Sequence, residues 1–299
     1  MKKNNAKNII ITAVKGSYTD FLEVLVQSIR ENHRAPLEIG IFYEAVPEEV
    51  RSRIERLAAS NARIRWLIPE HYFDPQLPYQ ELLQDPHYWR LLGTIVYGES
   101  ERIVYLDADT IVRRNLSHLF EIDLEGKVLA AVLDGFKAIE KGIINYKAFD
   151  FQADAAYFNS GVLIIDVQRF EVQKIREKVL KICTENAIYL DQRATWPTYD
   201  QYGLNVVLYN EWKALSDTYN CSTYRMFTRP HIVHFLGLCK PNTIHCRPEF
   251  TAEFFYYKYQ SQHNKPAAYQ QKARAVFYIF RSFLRQHYYN YLEWKKQRK

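Results

Sequence analysis

Apolar residues near the start of the chain fall into two alternating patterns, short continuous runs and helical repeats. Residues 9–14 form a β-branched run with the length of a buried strand, and residues 37–43 form another. Each run is followed by apolar residues at spacings of three and four, beginning near Asp20 and near Pro47, as in helices that open with acids or proline. This alternation predicts an α/β fold with a largely parallel sheet and helices on its faces.

The same patterns continue as far as about residue 250. They predict helices over residues 88–99, 167–185 and 199–208, and strands over residues 102–106, 128–133, 161–166 and 231–235. The strand at residues 102–106 ends in Asp107, Ala108 and Asp109, and ligands of open α/β sheets bind beyond the carboxyl ends of the strands. We therefore expect one domain over residues 1–250, with its chemistry at this strand end.

The composition favours a compact body that stays in the compartment where it is made. Of 299 residues, 47% are hydrophobic and 25% charged, with no repeat and no low-complexity linker. The apolar run after the basic N-terminus is too short for a signal peptide, and no stretch reaches the roughly 18 apolar residues of a membrane span. Four separated cysteines suit reduced thiols in the cytoplasm, and a zinc site from Cys239, His245 and Cys246 would need a fourth ligand.

The positive charge of the chain lies at its C-terminal end. Residues 272–299 hold eight Lys or Arg against one acid, a net charge of +7, while the whole chain carries +6. The rest is therefore close to −1 and offers no basic face to nucleic acid. Aromatic and apolar side chains recur among these charges at Phe277, Phe280, Leu284, Tyr288 and Tyr291. This pattern predicts that residues 251–299 form a helical tail on an anionic membrane surface; packing of the stripe on the body is the alternative.

Asp107 and Asp109 are the first candidates for chemistry. Two carboxylates two residues apart at a strand end can face one hard divalent cation, and a cation held in this way can neutralise a departing diphosphate. The motif alone is weak, because an Asp-x-Asp triplet is expected about once by chance in a chain of this length. Aspartates that cap a loop are the alternative.

Four separated segments strengthen the metal interpretation. They are RIVYLDADTIVRRNLSHLF at residues 102–120, YFNSGVLIIDVQRF at residues 157–170, YDQYGLNVVL at residues 199–208 and HFLGLCKPN at residues 234–242. In sequence and in order they resemble glycosyltransferase family 8, which includes bacterial lipopolysaccharide galactosyl- and glucosyltransferases and glycogenin. The resemblance covers residues 9–242 and implies a single GT-A domain, a Rossmann-like fold that binds nucleotide sugars.

The resemblance also implies which residues bind the metal and the donor phosphates. Mn²⁺ or Mg²⁺ would be held by Asp107, Asp109 and His234. Lys240 would hold a phosphate, and Gly237 would let the backbone approach it. An isolated histidine is more often a packed residue, but Gly237 and Lys240 beside His234 favour the metal role.

Further matched residues would contact the donor sugar. Arg90 would reach the sugar and phosphate region, although an arginine on a helix is more often exposed to solvent. The transferred carbon would lie beside Gln201, with Asp200 as the second catalytic residue. Other donor contacts are implied for Asp134, Asn159 and Ser160. A turn residue is the alternative for Asn159, and a helix N-cap is the alternative for Asp200.

The activity that the resemblance implies is retaining, metal-dependent hexosyl transfer. The donor would be a nucleotide sugar, UDP-galactose or UDP-glucose, and the acceptor a glycan or glycolipid such as a lipopolysaccharide or lipooligosaccharide core. The tail would hold the protein at the cytoplasmic face of the cell membrane. One departure is Lys15 in TAVKGSY, because the family commonly has acids there that bind the nucleotide base.

Two other classes of protein remain as alternatives. A sugar nucleotidyltransferase would carry a Gly-rich, basic loop after its first strand, and residues 13–18 match such a loop poorly. A non-catalytic module that binds nucleotide sugars or docks on membranes would not need Asp107, Asp109 and His234 together. For self-glycosylation, nothing in the sequence places any of the 23 tyrosines near the site.

Overall fold

The computed structural model describes residues 8–74, 76, 80–191, 199–223, 229–243 and 245–262. Its strands are β1 (Asn8–Lys15), β2 (Leu37–Glu44), β3 (Ala62–Leu67), β4 (Arg102–Leu106), β5 (Thr110–Val112), β6 (Leu129–Ala138), β7 (Ala156–Asp166), β8 (Trp212–Leu215), β9 (Cys221–Ser222) and β10 (Ile232–His234). Its α-helices are α1 (Thr19–Asn32), α2 (Glu48–Ala58), α3 (Gly93–Val96), α4 (Ile139–Gly142), α5 (Val167–Val172), α6 (Ile175–Glu185), α7 (Ala187–Asp191), α8 (Tyr199–Val207) and α9 (Pro248–Gln262).

The main sheet has the strand order β3-β2-β1-β4-β7-β6-β8. Its neighbouring strands are parallel except at β7, which runs antiparallel to both β4 and β6. The chain leaves β1 towards β2 on one side, and β4 lies on the other side of β1, so the order reverses between β1 and β4. This reversal opens a crevice at their carboxyl ends, the usual ligand position in such sheets. The expected α/β fold with a mostly parallel sheet is confirmed.

The sheet is buried on both faces, as β1 shows. Ile9 and Ile11 belong to one apolar core, and Ile10 and Val14 belong to the other. Because side chains alternate across a strand, a shift of one residue in register would exchange the two sets. The continuous apolar runs in the sequence therefore reflect burial on both faces of the sheet.

The reversed direction of β7 brings its first half to the carboxyl end of β4. In the register of the pair, Leu106 at the end of β4 lies opposite Val162 of β7. The residues just before Val162, namely Asn159 to Gly161, therefore extend beside the turn that follows β4. A parallel strand in this place would have presented its last residues instead.

A smaller sheet with the order β5-β10-β9 follows the end of β4. Its strand β10 is antiparallel to β5, and His234 lies opposite Thr110. This pairing brings the end of β10 to the turn between β4 and β5.

The helix expected over residues 88–99 is wrong in type. The segment Pro86–Leu92 is a 3-10 helix, and a single α-helical turn, α3, follows it. The side chain of Asp85 accepts a hydrogen bond from the His87 N–H at 2.9 Å and begins the 3-10 helix. All residues from Tyr88 to Leu92 are buried, so packing on every side overrides the helical preference of the segment.

The helix expected over residues 167–185 is broken into α5 and α6. The break lies at Lys174, which adopts a left-handed conformation with φ of 52°. It lets Arg176 fold back and donate to both carboxylate oxygens of Glu171, at 2.9 and 3.1 Å. The sequence analysis also missed β3, β5, β8 and β9, which are short or lie at an edge of their sheets.

The last described helix, α9, packs on α1 and beside β10. Phe254 of α9 is buried against Val24 of α1 and Phe235 after β10. Lys258 Nζ donates at 2.8 Å to Glu23, whose side chain is buried in α1. These contacts join α9 to the body of the protein.

The described residues include the expected boundary between domain and tail, at residue 250. The expected boundary at residue 250 falls inside α9, and the folded body includes residues as far as 262. The aromatic stripe of the expected membrane helix lies within residues 263–299, outside the described residues. Within the described ranges, no helix combines the length and the apolar character needed to cross a bilayer.

Candidate active site

Asp107 and Asp109 lie in the tight turn that joins β4 to β5. The Asp107 N–H donates to the Gly161 carbonyl of β7 at 2.8 Å, and the Asp109 carbonyl accepts from the Phe235 N–H at 3.0 Å. The carboxylates contact other side chains, for example the Tyr105 hydroxyl, which donates to Asp107 Oδ1 at 2.9 Å. Backbone hydrogen bonds therefore hold the turn, and the two carboxylates do not act as loop caps.

Asp107, Asp109 and His234 form the cluster that the sequence analysis expected. One ligand atom from each lies within 4.8 Å of the others. His234 Nε2 is 3.1 Å from Asp109 Oδ1 and 3.6 Å from Asp107 Oδ2. His234 and Asp109 are buried, whereas Asp107 is half-buried on the open side. The three side chains could hold one metal ion.

The donor set of the cluster fits a divalent cation. Two carboxylates and an imidazole nitrogen converge here, and a lone pair on that nitrogen would repel the carboxylate oxygens without a positive charge between them. Carboxylates suit Mg²⁺ and Mn²⁺, and imidazole is a common ligand of transition metals. A cation of this kind would satisfy all three groups at once.

Gly161 provides the space in which the cluster assembles. A Cβ atom at this position would lie 2.2 Å from His234 Cε1 and 2.7 Å from Asp107 Oδ2. These distances are far below van der Waals contact, so a side chain here would separate two of the three ligands. The glycine in the NSG segment is therefore required by close approach.

Lys240 lies against the other oxygen of Asp109. Its Nζ donates to Asp109 Oδ2 and, at 2.7 Å, to the Phe235 carbonyl. Burial raises the pKa of Asp109, but the neighbouring His234 and Lys240 side chains hold that pKa well below its usual range. The carboxylate is therefore ionised, as metal ligation requires. Gly237, which precedes Lys240 in this loop, has a φ of 50° that suits glycine.

Arg90 is buried, with 4% of its surface exposed, so it is not a solvated helix residue. Its Nη2 lies 3.2 Å from Asp107 Oδ1, and its Nε lies 2.9 Å from Asp200 Oδ2. Its Nη1 donates to the Ser160 carbonyl, and its guanidinium lies 4.4 Å from the centre of the Tyr105 ring. Arg90 thus joins the turn between β4 and β5 to α8.

Asp200 is buried inside α8 as the second residue of the helix, so it is not the N-cap. Burial raises the pKa of Asp200 to about 6, against the opposing charges of Arg90 and His87 and with a contribution from Asp107. Ionisation of this carboxyl therefore opposes folding at neutral pH.

Gln201 lies in a network of buried amides rather than at a free surface. Its Oε1 accepts from Asn159 Nδ2 at 3.1 Å and from the Ser160 N–H at 3.0 Å. Its Nε2 donates to Asp134 Oδ2 at 3.3 Å and to the Tyr157 hydroxyl at 3.1 Å. Asn159 is an interior residue of β7 and bonds to Gln201 and Asp134, so it is not a turn residue.

The structure thus brings the sequence-derived candidates together at one edge of the sheet. Three residues of this site were not among the candidates, and they differ in whether a signal in the sequence points to them. Gly161 lies inside the segment 157–170 that resembles the family, and Tyr105 lies two residues before Asp107. Asn220, whose Oδ1 lies 2.9 Å from His234 Nδ1, belongs to no recognised pattern.

Fold and site together define a GT-A glycosyltransferase. The chain matches the model described as glycosyl transferase family 8 over residues 9–242, and it belongs to this family. The structure therefore supports a transferase whose family uses nucleotide-sugar donors, as the sequence resemblance implied.

Curated relatives agree with this family. General stress protein A of Bacillus subtilis is 28% identical over 204 residues, which are 60% of this chain and 68% of that protein. A lipopolysaccharide 1,2-glucosyltransferase of Escherichia coli is 26% identical over 247 residues, 76% of this chain and 70% of that protein. The match to glycosyltransferase GlyF of Streptococcus pneumoniae spans 48% of that longer protein.

The fold is also that of a solved transferase. The galactosyltransferase LgtC, crystallised with donor and acceptor sugar analogues, superimposes with a TM-score of 0.66 at 21% identity. The match covers 84% of this chain and 95% of LgtC. At this level of identity the likeness shows a shared GT-A fold.

Replacement of Gly161 by Ala should weaken binding of Mn²⁺ at least about tenfold, because the new methyl group would push His234 and Asp107 apart. The free Mn²⁺ signal in an electron paramagnetic resonance titration measures this affinity. Gly98→Ala is the matched control, since its Cβ would come no closer than 3.4 Å to another atom. Unchanged Mn²⁺ affinity in Gly161→Ala would show that the metal lies elsewhere.

Replacement of Asp200 by Asn should raise the melting temperature at about pH 7.5, and the gain should vanish near pH 4. The pKa of this acid is raised to about 6, so its ionisation penalises the folded state above that pH and adds no penalty well below the unfolded value near 4. The gain at neutral pH is on the order of 2–3 kcal/mol. Melting curves in chelator across this pH range measure it.

The control for this pH series is Asp154→Asn at an exposed position. It should change the melting temperature little at any pH. A gain in Asp200→Asn that is equal at pH 4 and at neutral pH would mean that the change repacks the site rather than removing a charge.

Proposed function

We propose that this protein is a retaining, metal-dependent hexosyltransferase. Its donor is UDP-galactose or UDP-glucose, and its acceptor is a glycan such as a lipopolysaccharide or lipooligosaccharide core. The observation that carries the proposal is the grouping of Asp107, Asp109 and His234 beside Gln201 at the carboxyl edge of a GT-A sheet. The Escherichia coli relative, a lipopolysaccharide 1,2-glucosyltransferase, supports the choice of acceptor class.

The residues around the cluster suit a leaving nucleoside diphosphate. Asp107, Asp109 and His234 would hold Mn²⁺ or Mg²⁺, which would supply positive charge to offset that of the departing diphosphate. Lys240, already against Asp109, adds a second positive charge at the same place and can exchange its carboxylate partner for a phosphate oxygen. The buried Arg90 holds Asp107 in position, and the solvent-accessible side of the cluster remains for the donor.

The amide network beside the cluster suits a hexose. Asp134 is less buried than Asn159 and Gln201 and offers its carboxylate to sugar hydroxyls. Asn159, Ser160 and Asp200 surround Gln201 with further polar groups. Each is held by protein contacts before the donor arrives, which lowers the entropy lost on binding.

The surroundings of Gln201 favour attack from the same face as the leaving group. A double displacement would need a nucleophile, but the Gln201 amide is neutral and its oxygen already accepts two hydrogen bonds from the protein. In the front-face route, the acceptor oxygen bonds to the anomeric carbon as the bond from that carbon to the phosphate oxygen breaks. The acceptor proton passes to the departing phosphate oxygen.

The end of β1 is compatible with UDP despite Lys15. Lys15 Nζ lies 2.9 Å from Glu44 Oε1, at the end of the neighbouring strand β2. A carboxylate is therefore present at this edge although β1 does not supply it. The same loop offers no Gly-rich basic cradle, so a nucleotidyltransferase has less support than a glycosyltransferase.

We also propose that the tail holds the protein at an anionic membrane surface, where lipid-linked acceptors are found. The support is the sequence of residues 272–299, with eight basic residues among aromatic ones. We assign this role to residues after 262, because α9 packs on α1.

Calorimetric titration with UDP, GDP and CDP tests the donor site. We expect UDP to bind in the presence of Mn²⁺ and to lose at least tenfold in affinity in chelator or in Asp109→Ala, because the diphosphate then lacks its cation. Asp154→Ala is the matched control at an exposed aspartate. Absence of binding to any of the three nucleotides would favour a non-catalytic module.

Removal of residues 263–299 tests the membrane proposal. The shortened protein should stop sedimenting with vesicles that contain phosphatidylglycerol, while its affinity for UDP with Mn²⁺ stays within about twofold, because the site lies in the body. Neutral phosphatidylcholine vesicles serve as the comparison for charge. Equal sedimentation of both proteins with anionic vesicles would remove this proposal.

A further inference from the structure

Two consecutive backbone N–H groups of β7 fix the orientation of the buried amides. The Ser160 N–H donates to Gln201 at 3.0 Å, and the Gly161 N–H donates to Asn159 at 2.9 Å. A backbone N–H can only donate, so the side-chain atom that faces it must be the amide oxygen. The amide nitrogens of Gln201 and Asn159 therefore point the other way, and neither side chain can be flipped without losing a bond.

Asn220 links these buried amides to the cluster of Asp107, Asp109 and His234. The atom of Asn220 that lies 2.7 Å from Asn159 Oδ1 must be its amide nitrogen, because the Asn159 atom is an acceptor. The oxygen of Asn220 then faces His234 Nδ1 at 2.9 Å, and that nitrogen must carry a proton. The proton-bearing nitrogen of His234 is thus set by a chain of hydrogen bonds that begins at a backbone N–H.

This arrangement leaves Nε2 as the histidine nitrogen that faces Asp107 and Asp109, at 3.6 and 3.1 Å. In a neutral imidazole with its proton on Nδ1, Nε2 holds the lone pair that a metal needs. Metal-binding histidines commonly donate their other N–H to an oxygen in this way. Asn220 is 8% exposed and therefore holds this bond away from water.

We propose that Asn220 is a positioning residue that sets the metal-binding nitrogen of His234 and the orientation of Asn159 and Gln201 at the same time. Its oxygen serves the metal site, and its amide nitrogen serves the sugar site. The proposal rests on the function proposed above. It adds that the two halves of the site are coupled through one side chain, which is not itself a member of the Asp107, Asp109 and His234 cluster or a proposed sugar contact.

The two halves can be separated by two substitutions. Asn220→Asp keeps an oxygen for His234 Nδ1 but replaces the amide nitrogen that donates to Asn159 by a second acceptor. Asn220→Ala removes both bonds. Asn145→Asp and Asn145→Ala are matched controls, because Asn145 is a partly buried amide that likewise both donates and accepts, with Asn186 and the Tyr202 hydroxyl.

Titration of Mn²⁺ with the full-length protein, followed by electron paramagnetic resonance, tests the metal half. We expect Asn220→Ala to weaken Mn²⁺ binding about 10- to 100-fold, as for other outer partners of metal ligands. Asn220→Asp should bind Mn²⁺ within about threefold of the wild type, and the Asn145 variants should match it. Equal Mn²⁺ affinity in Asn220→Ala and wild type, or equal losses in Asn220→Ala and Asn220→Asp, would overturn the proposal.

The sugar half is tested by turnover of UDP-glucose and UDP-galactose at saturating Mn²⁺. Asn220→Asp should lose about tenfold or more in kcat although its metal site is filled, because Asn159 and Gln201 lose their fixed orientation. Its affinity for UDP should stay near that of the wild type. A variant with full turnover would show that Asn220 serves the histidine alone and would overturn the coupling.

Nitrogen NMR of the wild type keeps the inference testable if the variants unfold. In protein loaded with Mg²⁺, the His234 resonance, assigned by its loss in His234→Gln, should show the proton on Nδ1; a proton on Nε2 would overturn the proposal. Wild-type protein that binds neither Mn²⁺ nor UDP would contradict the proposed function instead, and the position of this proton would still be measured.

Discussion

The antiparallel pairing of β4 with β7 is the contact on which the site depends. It continues one residue beyond β4, where the Asp107 N–H donates to the Gly161 carbonyl at 2.8 Å. Through this bond the first half of β7 lies beside the turn between β4 and β5, so the buried amides and the carboxylates share one edge of the sheet. Gly161 makes the approach possible, because any side chain there would meet His234 and Asp107. The site therefore depends on the pairing of β4 with β7 as well as on the residue types.

Repulsion among carboxylates explains why cationic side chains lie beside the site. Three carboxylates, those of Asp107, Asp109 and Asp200, lie close together with limited access to water, and their mutual repulsion disfavours the folded state. Arg90 and Lys240 offset part of this repulsion, and a divalent cation would offset more. The site therefore favours added positive charge, which a divalent metal ion would supply.

The buried amides of the site, which are neutral, must each be held in one of two orientations. Gln201 and Asn159 have no charge to fix them, and their two ends differ only in whether they donate or accept. The N–H groups of Ser160 and Gly161 fix the orientations of Gln201 and Asn159. The hydrogen bonds of Asn220 extend this constraint to His234. Because each amide has one allowed orientation, the site is ordered before any ligand binds.

The sequence by itself determined the α/β class and most of the strands and helices, because apolar periodicity is a local signal. Asp107, Asp109 and His234 were expected through the resemblance of short segments to family 8. Tertiary structure decided what depends on neighbours: Pro86–Leu92 is a 3-10 helix because it is buried all round, and the helix after β7 breaks so that Arg176 can reach Glu171. It also placed α9 on the body and Asn220 between His234 and Asn159. No local pattern predicts these features, since each arises from contact between segments that are distant along the chain.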